Sequence, residues 1–237
     1  WHLDLPYLGQ FSTVLLAVFA APGFLSPLRG DDYSPRKVAA GVDEIISRAL
    51  KAEKAETTAL VSDEGFLRRV SLDLTGKAPS GDELALFTLD PDSAKRSSII
   101  SSLLASEDYS ENWGRYWRDV IAYRSQDQRF GIVREQLRRW IRDQLREDRG
   151  WDEIAVDLLT ATGDINNNGQ TGLVMAQMGE ANELAAETSR LFLGIQLQCA
   201  QCHDHPYDRW KREEFHQLAA FFPRLRIRRK EGTDAGR

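Results

Sequence analysis

From Ser34 onward, apolar residues recur at intervals of three and four with polar residues between them, the period of a helix that buries one face. Ser34-Pro35 supplies a cap and a first-turn proline, and Val38, Val42, Ile45, Ile46 and Leu50 follow on one stripe. Ser62-Asp63-Glu64 opens a second helix carrying Phe66, Leu67 and Val70, which runs into Leu72-Asp73-Leu74-Thr75-Gly76, where the glycine can stop it. Ser80-Gly81-Asp82-Glu83 has the form of a capping box. Asp90-Pro91 breaks that helix and permits the next, with Ile99, Ile100, Leu103 and Leu104.

Trp113, Tyr116, Trp117, Val120 and Ile121 form an aromatic stripe on one helix, and Val133, Leu137, Trp140, Ile141 and Leu145 line another. Between the latter stand Arg134, Arg138, Arg139, Arg142 and Arg146, interleaved with Glu135, Asp143 and Glu147, which reads as a solvated face laced with i,i+4 pairs. Asp152-Glu153 place acids in the first turn of a short helix ending near Thr160. Residues 161–180 read as the one long irregular stretch. A helix carrying Glu187, Arg190, Leu191, Phe192, Ile195 and Leu197 feeds into Cys199, and a last amphipathic helix holds Phe215, Leu218, Ala219 and Phe222 before Pro223. No alternating run is long enough for a convincing strand, so the fold class expected is all-α, an irregular multi-helix domain.

The N-terminal segment, residues 1–33, changes the picture. Phe11 to Phe24 is an apolar run too short to span a bilayer but as long as a signal-peptide core, and Val18-Phe19-Ala20 places small residues where a signal peptidase cuts. The division expected is a signal-like segment and linker at 1–33, a helical domain at 34–223, and a basic linker at 224–237 leading to a further domain. Export to the periplasm or another extracytoplasmic space follows, with no membrane span beyond a signal anchor. The 237 residues are 42% hydrophobic and 28% charged, as in soluble globular chains, and six Trp, six Tyr and ten Phe are enough for a real core. A net charge of −5 excludes the basic excess of nucleic-acid binders.

The two cysteines of the chain both lie in Cys199-Ala200-Gln201-Cys202-His203. This is the attachment signature of a c-type haem: each thiol adds to one vinyl group, and the imidazole of His203 reaches the iron. A sixth ligand would come from Met175, Met178, His216 or another domain. A second reading uses Cys199, Cys202, His205 and His216 as a C-x2-C-x2-H-x10-H zinc site, two thiolates and two imidazoles being a usual tetrahedral set. A third is a redox dithiol with His203 lowering a thiol pKa. Asp204 or Asp208 could orient a ligating imidazole or cap the last helix, and Arg209 and Arg212 could meet haem propionates. Asp164-Ile165-Asn166-Asn167-Asn168-Gly169 matches the first half of a calcium loop, but Met175 stands where the bidentate glutamate belongs, so a polar loop with Asx turns is expected. No nucleophile elbow, phosphate-cradling glycine loop, zinc-protease helix or acid–base pair is present, so the domain is expected to be non-catalytic by itself.

The run Ser189-Arg190-Leu191-Phe192-Leu193-Gly194-Ile195-Gln196-Leu197-Gln198-Cys199-Ala200-Gln201-Cys202-His203-Asp204-His205-Pro206, followed by Asp208 and Trp210, resembles the signature block of the planctomycete cytochrome-associated family of unknown function. Phe66 to Gly76 resembles its early helix, Trp113 with Tyr116-Trp117 its aromatic helix, and Trp140-Ile141 and Leu158 to Gly163 its middle. The resemblance covers roughly residues 35 to 222. It implies a large exported protein, with a cytochrome c domain before this one and a further domain after it, and a haem or metal role. The partners it implies are a redox protein or the neighbouring domains of the same longer chain.

Overall fold

The computed structural model describes residues 2–3, 34–123, 131–222 and 227–228. Among them the protein is all-α, with ten α-helices and three strands of two residues each. The chain divides into two units, Pro6–Ser62 and the remainder. The signal-like segment falls outside the described residues.

In the smaller unit, α1 (Pro35–Ala52) starts where the Ser34 side chain accepts from the Lys37 amide at 3.3 Å. The larger unit begins with α2 (Asp63–Thr75), which buries Leu67, Ser71 and Thr75, one side chain per turn on a single edge. Helix α3 (Gly81–Leu89) has the capping box its sequence promises. The Glu83 amide donates to Ser80 Oγ at 3.3 Å, and the Ser80 amide donates to Glu83 Oε2 at 2.7 Å. Phe66 of α2 stacks on Phe87 of α3 at 6.1 Å. Helix α4 (Lys95–Leu104) returns Lys95 and Arg96 to Asp63, each at 2.7 Å, tying the starts of α2 and α4 together.

The centre is the pair α5 (Glu107–Ile121) and α6 (Gly131–Arg146). Gly114 lets them approach: a Cβ there would lie 3.1 Å from Arg142 Cβ and 3.2 Å from the Arg138 carbonyl oxygen. Across the seam Glu111 of α5 accepts from Arg138 at 2.5 Å and from Arg142 at 3.1 Å. The arginine-rich face of α6 is therefore only partly the solvated i,i+4 surface expected of it; Arg139–Glu135 is such a pair, while Arg138 and Arg142 also clamp a neighbouring helix. The inner edge of α6, Val133, Leu137 and Ile141, joins Ile121, Ile154, Leu158, Ile165, Leu173 and Leu184 in the main core. Helix α7 (Trp151–Thr160) contributes Ile154 and Leu158.

Residues 161–180 depart from the irregular stretch expected. They contain a 3-10 turn at Gly169–Thr171 and the short helix α8 (Gly172–Ala176), and every residue from Thr171 to Gln177 is buried. The segment lies against α6: a Cβ on Gly169 would meet the Gln136 carbonyl oxygen at 2.3 Å, so only glycine fits. This core segment is apolar on all sides and too short to show a helical period, which is why it looks featureless in one dimension. The adjoining strand β2 (Gly163–Asp164) pairs antiparallel with β1 (His2–Leu3), which pairs with β3 (Ile227–Arg228).

The helix leading to the cysteines is also not continuous. Helix α9 (Ala181–Thr188) passes into a π turn at Ser189–Leu193 and stops at Gly194, whose φ of 68° is left-handed. A separate 3-10 turn, Leu197–Gln201, carries the first cysteine, and α10 (Arg212–Ala219) follows. Beneath that turn lies a second small core of Ala185, Ala186, Leu197, Ala200, Phe215 and Ala219. Among the described residues no helix is long and apolar enough to cross a membrane.

Candidate functional site

The 3-10 turn explains how the motif presents itself. With three residues per turn, side chains at i and i+3 eclipse one another. Leu197 and Ala200 share the inner edge and are buried in the small core. Cys199 lies on the turn and Cys202 is its C-cap; both are free thiols and both are exposed. The apolar pair anchors the turn and the sulfur pair faces out, so one local geometry serves both. Phe215 of α10, fully buried, is the largest side chain under the turn.

After Cys202 the chain forms a loop held by its own polar groups. Nδ1 of His203 lies 2.6 Å from the Asp204 carbonyl oxygen. A carbonyl only accepts, so Nδ1 is the donor, and in the neutral ring Nε2 holds the lone pair. His205 is the opposite case. Its Nδ1 accepts from the Tyr207 amide at 3.3 Å, which leaves the proton on Nε2. His216 donates through Nε2 to the Gln201 carbonyl at 3.1 Å, so it sits beside the motif with Nδ1 as the remaining lone pair. The loop closes where the His205 amide donates to the Trp210 carbonyl at 2.8 Å.

Of the two roles open to the aspartates, Asp204 takes the capping one. Its carboxylate accepts from Lys211 Nζ at 2.9 Å and from the Arg212 amide at the start of α10 at 3.1 Å. These bonds, the Lys211 one first, hold its carboxyl below the ordinary carboxylate range. Asp208 accepts from the Trp210 indole at 3.0 Å and from the Arg209 amide at 2.7 Å. The group that orients the His203 ring is thus a backbone carbonyl and neither carboxylate. Arg209 stacks on the Trp210 ring at 4.9 Å.

Among the described residues no three His, Cys, Asp or Glu side chains stand together so as to hold a metal ion, so Cys199, Cys202, His205 and His216 are not gathered into a tetrahedral set. Of the sixth-ligand candidates, Met175 is 3% exposed inside the main core, and Met178 is exposed on a backbone with φ of 56°. The Asp164–Gly169 loop has the Asx turn expected of it: Asp164 Oδ1 accepts from the Asn166 amide at 3.0 Å.

A model of one protein family matches residues 41–226. The chain belongs to PSCyt2, a family described as proteins of unknown function, DUF1549. The match spans α2 to α10 and the cysteine turn, so the turn is part of the PSCyt2 domain and not an appendage to it. No curated protein and no solved structure matches the chain. The PSCyt2 description names no reaction, and what the domain does has to be argued from the turn itself.

One feature of this PSCyt2 chain escapes a reading of the sequence. Arg190, on the π turn, forms an ion pair at 2.6 Å with Glu187, whose side chain is 1% exposed. Glu187-x-x-Arg190 has i,i+3 spacing, and an acid flanked by Leu184, Ala185 and Ala186 was the available signal that it is buried.

Proposed function

We propose that this domain carries a covalent haem c on the Leu197–Gln201 turn, in an exported protein. Cys199 and Cys202 are the two anchors and Nε2 of His203 is the iron ligand. The supporting observation is that two free, exposed cysteines lie on and at the cap of one short turn, followed at once by an imidazole whose Nδ1 is engaged by a carbonyl. Each thiol would add across one vinyl C=C, sulfur to one carbon and hydrogen to the other, so attachment consumes no oxidant. The Asp204 carbonyl would keep the His203 ring oriented and, in the neutral ring, hold the proton on Nδ1 so that Nε2 is the ligating atom. Leu197 and Ala200, locked into the small core, would hold the sulfurs in register. When bound, the group supplies one-electron transfer, with its potential set by the axial ligands and surrounding hydrogen bonds. Attachment of haem c in bacteria takes place outside the cytoplasmic membrane, which is the basis for proposing export.

The test is maturation of the protein with the c-type attachment machinery, followed by pyridine haemochrome absorbance. The expected result is a thioether-linked haem that survives acidic acetone extraction, is lost in the Cys199→Ser, Cys202→Ser double variant, and remains attached with an altered spectrum in His203→Ala. Protein that matures without haem overturns the proposal. Stoichiometric zinc by elemental analysis, released by Cys199→Ser, would move the assignment to Cys199, Cys202, His205 and His216.

A further inference from the structure

A cleft of about 470 Å³ opens between α5 and the π turn, lined by Tyr116, Asp119, Val120, Tyr123 and Arg190. Its size is that of a small-molecule site. Nearly every polar group in it is already committed. Asp119 Oδ1 accepts from Arg118 Nε at 2.9 Å and also from Arg134, and its Oδ2 accepts from Arg118 Nη2 at 2.7 Å. Arg190 donates through Nε and Nη2 to Glu187 Oε2 at 2.9 and 2.6 Å, and through Nη2 to the Val120 carbonyl at 2.7 Å. Its guanidinium lies over the Tyr123 ring, 4.8 Å from the centroid. Those contacts fix the guanidinium in place and leave Nη1 without a hydrogen-bond partner among the described residues. Among the described residues, the guanidinium groups of Arg118 and Arg134 are drawn to Asp119 and that of Arg190 to Glu187. Tyr116, 53% exposed, adds a half-exposed aromatic ring set edge-on to Trp113 and Trp117. The π turn that carries Arg190 is a rare local geometry that recurs at functional sites.

We propose that this cleft binds a small carboxylate with a flat apolar body, its oxygen on Arg190 Nη1 and its ring against Tyr116. A preorganised guanidinium with an unspent edge selects an anionic oxygen, and the aromatic wall selects a flat apolar body over a hydrated one. The assignment stands apart from the haem proposal, since none of its residues belongs to the cysteine turn.

The experiment is chemical-shift titration of the whole chain with benzoate, beside acetate, which lacks the ring, and benzyl alcohol, which lacks the charge. The expected result is shifts clustered at Tyr116, Tyr123 and Arg190 with benzoate, and at least tenfold weaker binding of both controls. Arg190→Lys should weaken benzoate at least tenfold. Because that variant disturbs the partner of a buried acid, Tyr116→Ala serves beside it, with thermal unfolding of the variant as the check that the fold is kept, and benzoate affinity should fall several-fold. Equal binding of all three compounds, shifts scattered over the surface, or full benzoate affinity in Tyr116→Ala overturns the proposal.

Discussion

Glu135 shows how much one carboxylate can depend on its neighbours. Arg138 donates to it at 3.0 and 2.8 Å and Arg139 at 2.7 Å. These bonds, Arg138 first, bring its pKa down from 4.5 to about 2. A folded-state pKa below the unfolded one means stability that is complete above the ordinary value and drains away as protons bind. The window is therefore pH 4.5 down to about 2. Acid unfolding followed by circular dichroism should show a loss of stability in that window, and Glu135→Gln should flatten it while lowering stability at neutral pH. Its side chain is 40% exposed, so solvent screening makes the neutral-pH loss small, and the change in slope is the sharper readout. That Glu135 pairs within its own helix was legible from its spacing to Arg139. That Glu111 sits between Arg138 and Arg142 was not, because residues 27 and 31 apart in the chain meet only once α5 and α6 are packed.

At the scale of elements, the turn from Leu197 to Gln201 is the informative one. The pentapeptide stands out by residue type, but a continuous helix into Cys199 was expected, and Gly194 interrupts it. The apolar residues before the break keep a helical period, so one dimension could not reveal the interruption. Ala200, fully buried between the two cysteines, is the position where the turn touches its core. Ala200→Leu should force that contact apart at a cost of about 1–3 kcal/mol, measured by urea unfolding, and should reduce haem incorporation although no proposed ligand is altered. Unchanged stability and unchanged incorporation would mean that the small core does not position the sulfurs.

Across the whole molecule, α6 is the element against which α5, the Gly169–Thr171 turn and α8 are laid, and Leu137 is its innermost side chain, with no exposure and membership of the main core. Leu137→Ala should destabilise the larger unit by about 2–5 kcal/mol by urea unfolding. A loss under about 1 kcal/mol would show that the site collapses around the cavity, contrary to the close approach of Gly172, where a Cβ would lie 2.8 Å from Leu137 Cβ. Helix content, most helix boundaries and the paired thiols could be read from local order, because periodicity, caps and cysteine spacing are all short-range properties of the chain. The buried stretch around α8, the break before the turn, the choice of a backbone carbonyl over Asp204 or Asp208 behind His203, and the cleft with its fixed Arg190 emerged only in three dimensions. Each of these rests on contacts between segments distant in sequence, or on competition between equally plausible local partners, and packing is what resolves both.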